Sequence, residues 1–183
     1  MLLKELKKYP MRPVDDEESE YGVTAGKYVG VKFTPETKQT LSDIIHKEKV
    51  PNAFDTDKLH STVAYSKGSN IPGYEASGKF DEPIQGEIDS FDVFPSQDGC
   101  NCLVAKLNCP ELDDLHNQTM EHGANYDYDE YIPHITFSYD AGNWSKDDLN
   151  RLTKKYKGTK IDIDEEYEQS IDDDFKNKLD KNS

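Results

Sequence analysis

Two segments of the chain share the pattern His-x-Thr-apolar-x-Tyr: HSTVAY at residues 60–65 and HITFSY at residues 134–139. Both are short and rich in β-branched and aromatic residues, so each predicts a β-strand. Alternate residues of a strand share a face, and we therefore expect the histidine and threonine of each segment to lie together. Val63, Tyr65 and Phe137 are expected on the opposite, packed face. The fold must accommodate two strands of this kind.

Chance does not readily explain the repeated pattern. With five histidines and ten threonines in 183 residues, roughly 0.3 His-x-Thr matches are expected. Threonine is an ordinary strand residue, so a single match would indicate nothing beyond a strand. Two matches in predicted strands, extended over the same six positions, favour two halves of one site.

The charge of the chain limits its partners. The formal net charge is −15, and the only arginines are Arg12 and Arg151. Such a surface repels long nucleic acids and anionic membranes, because both are bound through clustered Lys and Arg. A small phosphate-bearing ligand in a local pocket remains compatible with this charge. No apolar run reaches the length of a membrane span.

The cysteines indicate reduced thiols. There are three, Cys100, Cys102 and Cys109, an odd number that favours a cytoplasmic protein over a disulfide-bonded secreted one. Cys100 and Cys102 lack the spacing of a zinc finger relative to the nearest histidines, and their segment has the composition of a buried strand. We therefore expect neither a metal site nor a cofactor.

The predicted elements mix helices with antiparallel hairpins, which indicates an α+β fold. Thr34 and Ser145 are expected to cap helices, and the acidic segment 160–171 is expected to be an edge strand. We expect an N-terminal arm at 1–26, one domain at 27–171 and an acidic tail at 172–183. The elements are strands at 27–33, 59–66, 83–99 with its terminal turn, 100–108, 131–140 and 160–171, and helices at 34–49, 109–123 and 145–156.

Paired histidines and threonines suit the cleavage of a phosphodiester without a metal. Imidazole has an ordinary pKa near 6.5, so His60 and His134 could divide the roles of base and acid. The hydroxyls of Thr62 and Thr136 could donate to the non-bridging oxygens of a phosphate and stabilise its developing charge.

The two motifs resemble those of the 2H phosphoesterase superfamily, and YIPHITF is similar to its second motif. With GKYVGVKF, LHSTVAYS and PHITFSYDAG, the chain is most similar to small bacteriophage anti-CBASS phosphodiesterases, over roughly residues 26 to 171. The resemblance implies a two-lobed fold, with antiparallel sheets flanking a central cleft and helices outside. It also implies that His60 and His134 are the acid and base, and that Thr62 and Thr136 bind the phosphate.

The same resemblance implies residues that bind an adenine base. Tyr28 matches a stacking tyrosine, and Glu168, with Glu166 as its rival, would read the edge of the base. The second stacking residue of the family is a tryptophan, and here Phe175 occupies the expected stretch. Tyr139, at the end of the second pattern, completes the candidate substrate-binding set.

The resemblance implies a metal-independent enzyme that cleaves cyclic di- or trinucleotides and counters CBASS, a bacterial defence against phages. Its place would be the cytoplasm of the host bacterium. Two alternatives stay open: cleavage of 2′,3′-cyclic phosphates on RNA ends or small nucleotides, and a sponge that binds a cyclic nucleotide without cutting it. The oligomeric state is left open.

Overall fold

The computed structural model describes residues 26–96, 98–128 and 130–171. The predicted arm, apart from Gly26, and the predicted tail with Phe175 lie outside these residues, so the domain boundaries stay predictions. The strands are β1 (Gly26–Phe33), β2 (Ser61–Ser66), β3 (Gly78–Pro95), β4 (Asn101–Asn108), β5 (His134–Ser138) and β6 (Lys160–Ile171). The helices are α1 (Pro35–Lys47), α2 (Pro110–Glu121) and α3 (Lys146–Tyr156).

The six strands form one antiparallel sheet that closes on itself in the order β1-β2-β5-β4-β3-β6. The predicted α+β class is confirmed, and the predicted edge strand at 160–171 is wrong. β6 is hydrogen-bonded to β1 on one side and β3 on the other. Its acidic side chains therefore do not mark an unpaired edge, and one of them, Glu166, is only 1% exposed.

The helices begin where the sequence predicts. The side chain of Thr34 accepts a hydrogen bond from the backbone N–H of Thr37, with Pro35 in the first turn of α1. Ser145 and Asp148 form a reciprocal capping box at the start of α3. The helices pack on the sheet, with α1 contacting β1 and β6, α2 contacting β2, and α3 contacting β3. No helix among the described residues is long and apolar enough to cross a membrane.

The two His-x-Thr strands are neighbours in the closed sheet. β2 pairs with β5 through a single residue pair, Ser61 with Ile135, and both of these side chains are buried. We call this pair the seam. Because side chains alternate along a strand, the residues flanking Ser61 and Ile135 lie on the opposite face. The seam therefore gathers His60, Thr62, His134 and Thr136 on one side of the sheet.

Each His-x-Thr motif is followed by a β-bulge. Along β2, Thr62 pairs with Gly30 and Ala64 with Val29, so Val63 has no opposite residue. Along β5, Thr136 pairs with Val104 and Ser138 with Leu103, so Phe137 is the extra residue. A bulge shifts the side-chain alternation by one residue. Both extra residues are fully buried, as predicted from the sequence.

The bulges also change the prediction for the tyrosines. Tyr65 was expected on the packed face, but it pairs with Tyr28 and lies edge-on to the Tyr28 ring at 6.0 Å. Because the bulge at Val63 shifts the alternation by one residue, Tyr65 lies on the same face of the sheet as Thr62. Tyr139 likewise lies in the wall of the cavity that contains His134.

Candidate active site

His60 and His134 are held in the same way. The Nδ1 of His60 lies 2.9 Å from the carbonyl oxygen of Lys58, and the Nδ1 of His134 lies 2.7 Å from that of Ile132. A carbonyl oxygen only accepts hydrogen bonds, so Nδ1 carries the hydrogen in both rings. In the neutral form, each Nε2 then has a lone pair available for proton transfer.

The pKa values of both histidines lie below the ordinary value of 6.5. Burial lowers the pKa of His60. Burial also lowers the pKa of His134, and the positive charges of His60 and Lys106 lower it further. The charge of one imidazole thus acts on the other, as expected for two rings that face the same side of the sheet. In the free protein at neutral pH, the neutral form of each ring is favoured.

Thr62 is positioned from two directions. Its Oγ1 lies 3.0 Å from the hydroxyl of Tyr28, and its backbone carbonyl accepts a hydrogen bond of 2.7 Å from the hydroxyl of Tyr131. Burial raises the pKa of Tyr28 well above 10, so its hydroxyl stays protonated. Thr62 and Thr136 are both half-buried, which leaves part of each side chain accessible to a ligand.

Tyr28 lies on the same side of β1 as the site, but its ring is covered. Its side chain is 3% exposed, and the rings of His60, Tyr65 and Tyr167 lie 6.0 Å from its own. A Cβ added at Gly30 would lie 2.8 Å from the Tyr28 ring and 3.0 Å from the Tyr167 hydroxyl. Any larger residue at position 30 would therefore press against both tyrosine side chains, and glycine leaves room for them. In this arrangement Tyr28 contacts the site through its hydroxyl, and its predicted stacking role stays a prediction.

Glu166 and Glu168 lie on the other face of the sheet. Gly30 pairs with Tyr167, which places Tyr167 beside Tyr28, and the glutamates on either side of it point away. Glu166 accepts hydrogen bonds from the Tyr74 hydroxyl and, at 2.8 Å, from the Ser77 backbone. Glu168 accepts one of 2.7 Å from the backbone of Ala76.

These contacts tie both glutamates to the loop that follows β2. The structure does not bring either one to the histidine pair, and their predicted role in reading a base stays a prediction.

Two residues that contact the site were missed from the sequence. Tyr167 faces Tyr28, with the Lys32 ammonium 4.8 Å from the centre of its ring. Lys106 pairs across the sheet with His134 and forms a 2.8 Å ion pair with Asp92. Tyr167 could have been found from strand alternation, because it stands between the two chosen glutamates. Lys106 carries no local signal, since its role depends on the register of β4 with β5.

A cavity of about 680 Å³ opens on the β5 side of the site. His134, Thr136 and Tyr139 line it, as does Phe94, whose ring lies edge-on to His134 at 5.2 Å. The substrate-binding role of Tyr139 stays a prediction, although its position is compatible with it.

Within residues 26–96, 98–128 and 130–171, no three His, Cys, Asp or Glu side chains lie close enough together to form a metal site. The groups that converge on the site are two imidazoles, two threonine hydroxyls and a lysine. Such a set can transfer protons to and from a substrate and donate hydrogen bonds to an anion.

The chain is similar in sequence to proteins described as anti-CBASS protein Acb1. The sequence model of the family described as "Anti-CBASS protein Acb1" matches residues 25–178. The Acb1 of Vibrio phage KVP40 is 30% identical over 155 residues, covering 84% of this chain and 93% of the relative. The Acb1 of Enterobacteria phage T4 is 36% identical over 119 residues, covering 65% of this chain and 75% of the relative.

The fold is that of the 2H phosphoesterases. The crystal structure of E. coli LigT complexed with 3′-AMP superposes with a TM-score of 0.50 at 15% identity, covering 80% of this chain and 87% of LigT. LigT complexed with NADP+ gives a TM-score of 0.51 at 13% identity over the same shares. The 2H phosphoesterase-like α+β fold implied by the sequence is thereby confirmed.

Proposed function

This chain belongs to the anti-CBASS protein Acb1 family, whose members counter CBASS through phosphodiesterase activity. We propose that it cleaves the 3′–5′ bonds of cyclic di- and trinucleotide messengers without a metal. The observation that carries the proposal is the histidine pair at the seam. Both rings are oriented by a bond from Nδ1 to a backbone carbonyl, and both have Nε2 available for proton transfer.

The proposed reaction is an attack within the substrate. One histidine, in its neutral form, removes the proton of the ribose 2′-OH next to the scissile phosphate. The 2′ oxygen bonds to phosphorus while the bond from phosphorus to the 5′ oxygen breaks. The other histidine, in its charged form, donates its proton to that 5′ oxygen. The products are a 2′,3′-cyclic phosphate on one nucleoside and a free 5′ hydroxyl on the next.

The remaining residues of the site would stabilise the phosphorane-like transition state. Thr62 and Thr136 donate hydrogen bonds to the non-bridging oxygens, and Lys106 adds positive charge beside His134. The Tyr28 hydroxyl, bonded to Thr62, keeps the Thr62 side chain oriented. Groups arranged in advance need no reorganisation when charge develops, which is why such hydrogen bonds stabilise a transition state more than water does.

The charge of the protein favours a small substrate. With a net charge of −15, the surface repels polyanions, whereas a compact cyclic nucleotide contacts only the local groups of the cleft. We propose that the protein meets this substrate in the cytoplasm of the host bacterium, where the messenger would be made.

The test is cleavage of cyclic oligoadenylates and mixed cyclic dinucleotides in EDTA, with the products separated by chromatography before their masses are recorded, because a ring that is opened once has the mass of the intact substrate. We expect full activity in EDTA and no cleavage of a 2′-deoxy analogue. His60→Ala and His134→Ala should each lower kcat by about 10²–10⁴-fold. His46→Ala, at an exposed position on α1, is the matched control and should retain activity.

Four outcomes would contradict the proposal. Dependence on added metal would exclude the mechanism, and normal cleavage of the 2′-deoxy analogue would exclude the 2′-OH as nucleophile. Recovery of intact ligand after tight binding would identify a sponge. Turnover of 2′,3′-cyclic mononucleotides alone would favour the second alternative.

A further inference from the structure

The cavity beside His134 has two chemically different ends. At one end lie His134 and Thr136, and at the other lie Asp98 and Asp140, next to Cys100. Cys100 precedes β4, and Val104 pairs with Thr136, so the two ends are on the order of 13 Å apart along the strand. Ligand sites in proteins span roughly 300–1,000 Å³, and the volume of about 680 Å³ lies within that range.

A phosphodiester bond joins two nucleosides, so a phosphate placed at the histidine pair directs one nucleoside to each side. On the β1 side, the rings of Tyr28 and Tyr167 and the ammonium of Lys32 occupy the sheet surface. On the β5 side, the cavity is open and Phe94 and Tyr139 lie in its wall. Aromatic side chains are suitable surfaces for a base, because stacking contributes roughly 1–3 kcal/mol.

We propose that this cavity binds the second nucleoside of the substrate, and that the Asp140 carboxylate there selects guanine. The inference rests on the proposed function, since it assumes that the phosphate of a nucleotide lies at His134 and Thr136. With the phosphate at that end, the base extends toward the carboxylate end. The sugar and base would occupy the space between the two ends, with the outer edge of the base facing Asp140.

Asp140 is well placed to present its carboxylate. Its backbone N–H donates to the hydroxyl of Ser138 at 3.1 Å, and its carbonyl accepts from the Asn52 side chain at 2.9 Å. The backbone is therefore bonded on both sides while the side chain is exposed to the cavity. Because the backbone is already fixed, the carboxylate loses less conformational entropy when it binds a ligand.

The chemistry of a carboxylate favours guanine over the other bases. A carboxylate is an acceptor only, and the outer edge of guanine presents two adjacent N–H donors, which it can bind together. Adenine presents one amino group next to a ring nitrogen acceptor. Uracil presents one N–H between two carbonyls, which a carboxylate repels. The expected order of preference in the cavity is therefore guanine, adenine, uracil.

The experiment compares kcat/KM for cyclic GMP–AMP and cyclic di-AMP, both with 3′–5′ bonds, in the unchanged protein and in Asp140→Asn. We expect the unchanged protein to prefer cyclic GMP–AMP. Asp140→Asn should lower the ratio of kcat/KM for cyclic GMP–AMP to that for cyclic di-AMP about tenfold, mainly by raising KM for cyclic GMP–AMP. The reason is that the amide places an N–H donor against one of the two N–H donors of guanine. Asp114→Asn, the same change on the exposed face of α2, should leave the ratio unchanged.

The outcomes separate the inference from the proposed function. If neither cyclic dinucleotide is cut, the proposed function fails. If both are cut but Asp140→Asn leaves their ratio unchanged, the inference is overturned while the function stands. A loss of the ratio in Asp98→Asn and not in Asp140→Asn would overturn the assignment to Asp140.

Discussion

At the scale of single residues, the two histidines are equivalent in their bonding but not in their surroundings. Each Nδ1 donates to a carbonyl of the preceding segment, so both rings have the same tautomer. Lys106 pairs across the sheet with His134, and its charge lowers the pKa of that imidazole. The two imidazoles therefore differ in their electrostatic surroundings although their hydrogen bonding is the same.

The pH dependence of kcat/KM should reflect the lowered pKa values. Activity needs one neutral and one charged ring, and both free rings have pKa values below 6.5. As pH rises through the higher of the two coupled values the acid is lost, and as pH falls through the lower one the base is lost. We expect a bell-shaped profile of kcat/KM with its maximum below about pH 6.5.

The profile of kcat should lie at higher pH, because an anionic phosphate raises the pKa of a neighbouring imidazole. Lys106→Gln removes the charge that lowers the pKa of His134, so the limb of the profile that His134 sets should move to higher pH, whereas Lys106→Arg should not move it. A maximum of kcat/KM well above neutral pH in the unchanged protein would be incompatible with these environments.

The sequence predicted which side chains of the two motifs share a face better than it predicted their neighbours. His60, Thr62, His134 and Thr136 were identifiable because each motif lies within one short strand, where alternation alone decides which side chains share a face. Tyr65 and Lys106 were not, because their positions depend on bulges and on the pairing of distant strands. Register is set by contacts between strands, and no local pattern specifies it.

At the scale of elements, the same limit explains β6. Its acidic alternation is typical of an exposed strand, yet it pairs on both sides. The register of β6 with β1 shifts between Lys32 and Phe33, so side-chain alternation changes within the strand. Glu166 consequently lies on the packed face with Ile163, where Tyr74 and Ser77 satisfy it. Burial of this carboxylate follows from hydrogen bonds that come from a distant loop.

Two hydrogen bonds cross the seam in opposite directions. The Ser61 hydroxyl donates to the carbonyl of His134 at 2.8 Å, and the Tyr131 hydroxyl donates to the carbonyl of Thr62 at 2.7 Å. Tyr131 also stacks on His116 at 4.1 Å, and His116 bonds to the carbonyl of Val63 at 2.8 Å. Since β2 and β5 share only one residue pair, these bonds set the distance between the two motifs.

Tyr131→Phe and Ser61→Ala should therefore lower activity more than stability. Each removes one hydrogen bond, worth about 0.5–1.5 kcal/mol of folding free energy, so Tm should fall by only a few degrees. A displacement of about 1 Å between catalytic groups can lower the rate 10²-fold. We expect kcat to fall at least about tenfold, with KM nearly unchanged, because neither side chain is required to bind substrate.

Steady-state kinetics and thermal unfolding of the same preparations provide the measurement. Ser42→Ala, on α1, is the control for the serine change and should alter neither quantity strongly. A loss of kcat that merely follows the loss of folded protein would assign Ser61 and Tyr131 to stability alone.

At the scale of the whole molecule, a buried carboxylate connects two helices that pack on different strands. Glu48 caps the C-terminal end of α1, and its side chain is 6% exposed. It accepts hydrogen bonds from Arg151 and Lys155 at 3.0 Å and from the Tyr156 hydroxyl at 2.6 Å, all on α3. Because α1 contacts β1 and β6 while α3 contacts β3, this network stabilises the closed sheet from outside.

Glu48→Gln should destabilise the protein in a pH-dependent way. Burial alone would raise the pKa of Glu48, but the bonds from Tyr156, Lys155 and Arg151 lower it from 4.5 to about 2. A carboxyl whose pKa is lower in the folded state stabilises the fold fully above its unfolded pKa and loses that contribution as pH falls toward the folded value. The exposed partners reduce the effect, and we expect about 1–3 kcal/mol at neutral pH.

Urea unfolding at a series of pH values measures this contribution as the difference in free energy of unfolding between the two proteins. The difference should be constant from about pH 7 to about pH 5 and should shrink between about pH 4.5 and pH 2, where the unchanged protein also gains a proton at Glu48. Glu121→Gln, at the exposed end of α2, controls for the loss of one negative charge from a chain of net charge −15. Two results would show that the network is not the source of the stability. Glu121→Gln could lower stability as much as Glu48→Gln, or the difference in free energy of unfolding could persist unchanged toward pH 2. Neither result requires a carboxylate that is bonded only in the folded state.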